Sequence, residues 1–169
     1  MGYYCKSCGK EHEGLPLDIA QAKPAAYFEV PESQRTKRCV LTSDGCVIDR
    51  KRHFIRGCAC VPLRDHDGNF VWGVWAEVSG ATFQRYGELY HSDATNEPPH
   101  PGKLSATIAG YEGLNGHPVS IQFGTATERP RFTLIPSTNL LYREQAEGIT
   151  VHRVFEILHT LFPKDFPQT

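Results

Sequence analysis

Two apolar stretches, His53-Phe54-Ile55-Arg56-Gly57-Cys58-Ala59-Cys60-Val61 and Phe70-Val71-Trp72-Gly73-Val74-Trp75-Ala76-Glu77-Val78, decide the fold of this chain. Between them lies Asp65-His66-Asp67-Gly68-Asn69, which is a strong hairpin-turn signal. In the second stretch every other residue, from Phe70 to Val78, is apolar, so these residues share one face of a strand. The two stretches therefore predict an antiparallel hairpin.

The flanking sequence extends this hairpin on both sides. The β-prone segments Cys39-Val40-Leu41-Thr42 and Cys46-Val47-Ile48-Asp49 precede it, which predicts a meander. A helix at Ala81 to His91 follows, and Thr150 to Leu161 is an amphipathic helix with Thr150 as its cap. Strands before helices indicate the α+β class, with an antiparallel β-sheet built on a meander and packed with C-terminal helices.

The length of 169 residues is typical of one domain. We therefore interpret residues 1–169 as a single domain. Its predicted parts are a zinc knuckle at 1–16, the meander at 39–79, a helix at 80–92, further strands at 102–136 and helices at 138–162.

Charge and hydropathy exclude several classes of partner. The net charge is −1, so no basic surface argues for nucleic acid or anionic lipid. No run approaches the ~18 apolar residues of a membrane helix, and the N-terminus carries no apolar signal stretch. These features predict a cytoplasmic protein without membrane contact, whose partner is another protein or a small molecule.

Six cysteines are the most specific chemical feature of the chain: Cys5, Cys8, Cys39, Cys46, Cys58 and Cys60. In a reducing cytosol thiols are free, metal-bound or catalytic more often than paired in disulfides. Cys5-Lys6-Ser7-Cys8-Gly9 has the spacing of a zinc knuckle, in which a tight turn brings two thiolates to one ion. A Cys5–Cys8 redox pair without metal is the weaker alternative.

A structural zinc ion needs four ligands, and the knuckle supplies two. His12 is the nearest third candidate. Cys46 is our prediction for the fourth, with Cys39, Cys58 and Cys60 as its competitors. This set of Cys5, Cys8, His12 and Cys46 predicts a closed, structural Zn²⁺ site. If His12 is not a ligand, the site has an open position, which would suit a metal-dependent hydrolase with Glu11 or Glu13 as base.

No nucleophile elbow, phosphate loop, His-Glu-x-x-His or dinucleotide motif occurs in the sequence. Catalytic residues therefore stay unassigned, and we favour an interaction or regulatory binding module over an enzyme. Arg56 could grip a carboxylate or phosphate, or pair with Asp44 across a hairpin. Trp72 and Trp75 point to opposite faces of their strand, so one is expected in the core and the other as a candidate partner-binding residue.

Several motifs together resemble a bacterial family, the domain of unknown function 2199. The matching segments are Cys5-x-x-Cys8-Gly9-x-x-His12-Glu13-Gly14-Leu15-Pro16, Ser43-Asp44-x-Cys46-Val47-Ile48-Asp49, His53-Phe54-Ile55-Arg56-Gly57, Trp72-Gly73-Val74-Trp75, Arg129-Pro130 and Glu144-Gln145-x-Glu147-Gly148-Ile149-Thr150. The resemblance runs from Cys5 to about Val154.

This resemblance implies that Cys5, Cys8 and Cys46 belong together, since all three match motif positions of the family. Cys39 and Cys60 do not. The chain departs from the family pattern at Asn139-Leu140-Leu141-Tyr142, where the pattern commonly reads His-Pro-Leu-Ala. Asn139 could not do the acid–base work of a histidine, so the resemblance carries over no activity.

Overall fold

The computed structural model describes residues 2–5 and 9–166, with the backbone alone for residues 2–5, 10, 12 and 13. The strands are β1 (Gly2–Cys5), β2 (Lys10–Glu13), β3 (Asp18–Ala20), β4 (Cys39–Leu41), β5 (Gly45–Ile48), β6 (Arg52–Pro62), β7 (Asn69–Val78), β8 (His100–Leu104), β9 (Pro118–Gln122) and β10 (Arg131–Leu134). The helices are α1 (Ala25–Glu29), α2 (Glu32–Arg38), α3 (Gly80–Leu89), α4 (Leu140–Glu147) and α5 (Val151–Leu161).

Side-chain caps fix the starts of the three longest helices. Ser79 accepts a hydrogen bond from the backbone of Thr82 at the start of α3, and Asn139 accepts one from Leu141 at the start of α4. The predicted cap of α5 is confirmed, because Thr150 accepts from the backbone N–H of Arg153. Each cap satisfies a backbone donor that the first turn of a helix leaves unpaired.

Strands β6 to β10 close into a five-stranded barrel. Neighbouring strands from β6 to β10 pair antiparallel, and β10 returns to β6 through the pair Arg131 and Cys58. In a closed barrel of five strands that alternate in direction, the first and last strands run parallel. The closing pair is parallel for this reason.

Helices combined with a mixed sheet are consistent with the predicted α+β class, but the predicted antiparallel sheet is not antiparallel throughout. Besides the barrel closure, β3 pairs parallel to β7, so the eight-stranded sheet is mixed. Strands β4, β5 and β6 do pair antiparallel in sequence order and extend the barrel wall. The sequence pattern missed the parallel pairs because they join segments far apart in the chain, where no turn motif announces the pairing.

The barrel interior is the main core. The predicted apolar face of β7, from Phe70 through Trp72 to Val78, lies within it and is buried. The tightest point is Gly57, where an added Cβ would lie 2.4 Å from the Phe132 ring and 2.7 Å from the Pro130 carbonyl oxygen. Glycine at this position therefore allows β10 to approach β6.

A second apolar cluster lies on the other face of the sheet. Helix α1 covers it through Ala26 and Val30, and the sheet contributes Cys46, Ile48, Phe54 and Trp75. The Trp75 indole donates a hydrogen bond to the Gln21 carbonyl oxygen at 2.9 Å. The sheet between α1 and the barrel interior is thus buried on both faces, and β6 and β7 read as nearly continuous apolar runs for this reason.

Four short strands differ from what the sequence predicts. The further strands are predicted from residue 102, yet β8 begins at His100 and includes Pro101. Strand β3 lies between the predicted knuckle and the predicted meander, where no strand is predicted, and β1 and β2 pair as a hairpin within residues 1–16. Among the described helices, none combines the length and apolar character that crossing a membrane requires.

Candidate functional site

Three distant segments of the chain meet at the carboxylate of Asp44. The Tyr90 hydroxyl donates to Oδ2 at 2.6 Å, and the Arg129 Nε donates to Oδ1 at 2.9 Å. The Ser43 hydroxyl also donates to Oδ2, at 3.0 Å. Charge-assisted bonds of this length are stronger than neutral ones, so they hold the three segments together.

Each partner is positioned by the end of a regular element. Asp44 lies in the turn between β4 and β5, where the Thr42 hydroxyl accepts from the backbone N–H of Gly45 at 3.0 Å. The backbone carbonyl oxygen of Asp44 accepts a hydrogen bond from the backbone N–H of Arg56 at 3.0 Å, which ties the turn to β6. Tyr90 is the C-cap of α3, and Arg129 stands just before Pro130 at the entry to β10.

A pocket of about 400 Å³ opens beside this carboxylate, between α3 and the loop Gly124 to Arg129. Its apolar wall is formed by Tyr86, Leu89 and Phe123. Phe123 belongs to the barrel core, and Tyr86 and Leu89 pack against that core. Its polar lining comes from Asp44, Cys58, Thr125, Thr127, Glu128 and Arg129. An apolar wall with a few convergent polar groups is typical of a small-molecule site.

Hydrogen bonds, burial and nearby charges shift the pKa values of two side chains that line the pocket, Asp44 and Cys58. Burial opposes ionisation of Asp44, but the bonds from Tyr90, Arg129 and Ser43 outweigh it and lower the pKa of this carboxyl. Burial raises the pKa of the Cys58 thiol, although Arg129, Arg56 and Arg131 act in the opposite direction. At neutral pH these shifts favour an ionised Asp44 carboxylate and a neutral Cys58 thiol.

The predicted pair of Asp44 and Arg56 is only partly right. The two residues are neighbours, but the Asp44 carboxylate pairs with Arg129, and Arg56 Nη1 donates to the Ser43 carbonyl oxygen at 3.4 Å. The Arg56 guanidinium carbon also lies 6.0 Å from the centre of the Trp75 ring. Its Nε is buried and has no hydrogen-bond partner among the described residues.

The prediction of a tryptophan for partner binding is wrong. Trp72 is 1% exposed in the barrel interior and Trp75 is 0% exposed beneath α1. They do point to opposite faces, as their odd spacing requires. Both faces are covered at this point of β7, so neither indole reaches a partner.

The zinc-ligand candidates fall in two places. The side chains of Cys5 and His12, and all of Cys8, lie outside the described residues. The backbone register pairs Cys5 with Lys10 and Tyr3 with His12, so the positions Cys5 and His12 belong to one face of the β1–β2 hairpin. Gly9, with a φ of +70°, follows Cys8 in the left-handed region, as a knuckle turn requires.

Cys46 lies in the cluster beneath α1, with 0% exposure. Burial raises the pKa of its thiol to about 11. The buried side chains around it, Phe54, Trp75 and Ile48, are apolar, and the half-buried Cys39 packs against the same cluster. This environment suits a small hydrophobic residue and argues against the predicted role of Cys46 as a zinc ligand.

The remaining cysteines are Cys39, Cys58 and Cys60, all half-buried. Burial raises the pKa of each thiol. Cys58 lines the pocket beside Asp44. Within the described part of the chain, no group of three or more metal-binding side chains is placed to hold an ion.

Sequence reasoning missed Tyr86, Tyr90 and Arg129 as parts of a site. Tyr86 and Tyr90 fall within the predicted helix at Ala81 to His91 without any assigned role, and Arg129 appears only in the motif Arg129-Pro130. One signal pointed in the right direction: Ser43-Asp44, Arg56-Gly57 and Arg129-Pro130 all carried the family resemblance. The structure brings these three motifs together at the pocket.

Comparison with known proteins yields one match. No curated protein and no solved structure matches the chain. A family described as an uncharacterised protein conserved in bacteria matches residues 4–149, which is most of the chain and spans the pocket residues. The chain belongs to this bacterial family, the domain of unknown function 2199.

Proposed function

We propose that this protein is a binding module whose pocket beside Asp44 holds a small molecule. The observation that carries the proposal is the pocket of about 400 Å³ with an apolar wall on one side and the Asp44–Arg129 pair on the other. Its size suits a compact organic ligand. The Asp44 carboxylate joins the end of α3, through Tyr90, to Arg129 of the Gly124 to Arg129 loop, so both walls of the pocket are fixed to one side chain.

The hydrogen-bonding capacity of the pocket supports recognition as its role. The Tyr86 hydroxyl and the two Nη groups of Arg129 have no hydrogen-bond partner in the described part of the chain. Groups of this kind fix the orientation of a bound molecule. Burial raises the pKa of the Cys58 thiol, which does not favour it as a nucleophile.

We propose in addition a structural zinc ion in the N-terminal hairpin, with Cys5, Cys8 and His12 as ligands. The Cys-x-x-Cys-Gly spacing and the positive φ of Gly9 support it. The burial of Cys46 removes it from the ligand set that we propose. Without Cys46, a closed site needs a fourth ligand besides Cys5, Cys8 and His12. The alternative function, a hydrolase with an open zinc site, depends on whether that fourth ligand exists and stays a prediction.

The zinc proposal is tested by the metal content of protein purified without added metal. We expect one equivalent of zinc in the wild type and in Cys46→Ser and Cys60→Ser, and loss of zinc in Cys8→Ser. Tetrahedral thiolate bands after cobalt substitution would support the closed site. Five-coordinate, water-exchangeable cobalt would instead favour the hydrolase.

The pocket is tested by a fragment screen monitored by amide NMR shifts. We expect fragments to shift the amides of Asp44 and of the Gly124 to Arg129 loop. The variant Ala126→Trp fills the pocket mouth and should abolish these shifts. Ala146→Trp, which replaces an exposed alanine of α4 away from the pocket, is the matched control. Fragments that bind both variants equally, or a screen without any binder, would contradict the proposal.

A further inference from the structure

We infer that Cys58 and Cys60 form a two-coordinate site for a soft monovalent metal ion, Cu⁺. This site is separate from the zinc ligands proposed above, and it does not depend on what the pocket beside Asp44 binds. The inference rests on the placement of two thiols on one strand, on their partial exposure and on the charges beside them.

The two thiols share one face of β6. This strand pairs with β7 without interruption from His53 to Pro62, so its side chains alternate between two faces. The residues at positions 55, 57, 59 and 61 are buried, whereas Arg56, Cys58 and Cys60 on the other face are all partly exposed. Both cysteines are free thiols. Cys58 also lines the pocket, which gives an ion a path to the pair.

The strand spacing is too wide for a disulfide and suits a linear metal complex. Residues two apart in a strand stand about 6.5–7 Å from each other. A disulfide needs Cβ atoms about 3.5–4.5 Å apart, so the strand opposes a disulfide between Cys58 and Cys60. A linear sulfur–metal–sulfur unit spans about 4.6 Å, given metal–sulfur bonds of about 2.3 Å. Each sulfur therefore needs to lean toward the other by only about 1 Å to hold such an ion.

The number of ligands selects the kind of ion. Among the side chains that the structure describes, no third histidine, cysteine or carboxylate joins the two thiols in a metal-binding group. Zn²⁺ in a structural site takes four ligands, so the pair alone does not suit it. Cu⁺ favours soft sulfur ligands and forms stable linear complexes with two of them. The pair therefore fits Cu⁺ better than Zn²⁺.

The neighbouring charges suit the complex that forms. Binding of one Cu⁺ releases both thiol protons and leaves a bis-thiolate complex with a single negative charge. Arg56 lies two residues before Cys58 on the same face, and Arg131 pairs with Cys58 where β10 meets β6. Both guanidinium groups act to lower the pKa of the Cys58 thiol, against the effect of burial. The Asp44 carboxylate of the adjacent pocket is already paired with Arg129.

Cu⁺ itself is the probe, offered without oxygen from a coloured chelator of known affinity. We expect one Cu⁺ per chain to leave the chelator and to shift the amides of Cys58 and Cys60. Cys58→Ser and Cys60→Ser should each weaken Cu⁺ binding about a hundredfold or more, because each leaves a single thiolate. Cys39→Ser is the matched control, since Cys39 is a half-buried thiol with no cysteine two residues away. It should change the affinity by no more than about threefold.

The N-terminal thiols are the competing site, and a double variant removes them. The variant Cys5→Ser/Cys8→Ser should still take up one Cu⁺, and X-ray absorption should show two sulfur neighbours around the ion. The amide spectrum of each metal-free variant shows whether the barrel is intact.

Three results would overturn the inference. Cu⁺ uptake that disappears in the double variant and persists in Cys60→Ser would place the ion at the N-terminus. Three or four sulfur neighbours would show that the ion is not two-coordinate. Loss of zinc from purified Cys58→Ser or Cys60→Ser would assign this pair to the zinc site instead.

Discussion

Asp44 shows how one side chain can fix the geometry of a site. Its two oxygens accept from Tyr90, Arg129 and Ser43, and its backbone carbonyl accepts from β6. The carboxylate is 17% exposed, so water screens it less than it screens the surface ion pairs of this protein. Burial of Asp44 opposes its ionisation, but these hydrogen-bond donors outweigh burial and lower the pKa of the carboxyl.

The variant Asp44→Asn should lose about 1–2 kcal/mol of unfolding free energy at pH 7, because it removes the charge from these bonds. The folded pKa of Asp44 is below its value of about 3.9 in the unfolded chain. Its contribution is therefore present above pH ~4 and is lost as the pH falls through the folded pKa. Urea unfolding at pH 7 and in acid measures this.

The control for this prediction is Asp67→Asn, in the exposed turn between β6 and β7. It should change stability by less than about 0.5 kcal/mol at either pH. The difference between wild type and Asp44→Asn should shrink as the medium becomes more acid. A difference that stays constant with pH would mean that the carboxylate charge contributes nothing.

At the scale of elements, closure of the barrel depends on the approach of β10 to β6. The two strands share a short parallel pairing, and the Cys58 backbone N–H donates to the Pro130 carbonyl oxygen at 2.8 Å. Gln145 of α4 bridges the rest of the gap: its side-chain amide donates to the carbonyl oxygens of Cys60 and Phe132 and accepts from Leu134. A helix side chain thus replaces missing ladder bonds between these strands.

Gly57→Ala should destabilise the protein by at least about 2 kcal/mol, because the new methyl group would meet the Phe132 ring and a backbone carbonyl. Gly87→Ala is the matched control. It lies in α3 with no atom within 4 Å of the added Cβ, so alanine should stabilise the helix by about 0.5–1 kcal/mol. Chemical denaturation of both variants checks the pair. Equal effects would mean that the packing at Gly57 is not tight.

For the whole molecule, we expect the cores to fold independently of the N-terminal hairpin. The buried residues of the barrel core run from Ile55 to Leu158, and those of the cluster under α1 run from Ala26 to Trp75. Among the described side chains, neither set of buried residues includes one from residues 1–16, although the half-buried Leu15 packs against the barrel core. A chain of this length also buries enough apolar surface to fold without metal.

Removal of zinc by a chelator should therefore leave the barrel folded. Both tryptophans of the chain report on the cores, Trp72 on the barrel and Trp75 on the cluster under α1. We expect the thermal midpoint followed by their fluorescence to fall by less than about 2 °C, which corresponds to under about 1 kcal/mol for this size. A cooperative loss of tryptophan signal on chelation would contradict this independence.

The sequence by itself determined the longer elements of this protein. Alternating apolar residues predicted β7, and the Asp-Gly turn predicted its pairing with β6. Cap residues and helical spacing predicted α3 and α5. These signals are local, because hydrogen bonds within a helix and across a tight hairpin join residues close in the chain.

Only the tertiary structure decided the barrel closure, the burial of both tryptophans and the pocket. Asp44 meets Tyr90 from 46 residues away and Arg129 from 85 residues away. No periodicity records which distant segments become neighbours, since that depends on how β10 packs onto β6. The same packing decided that Cys46 lies among apolar side chains, where its spacing in the sequence had suggested a ligand.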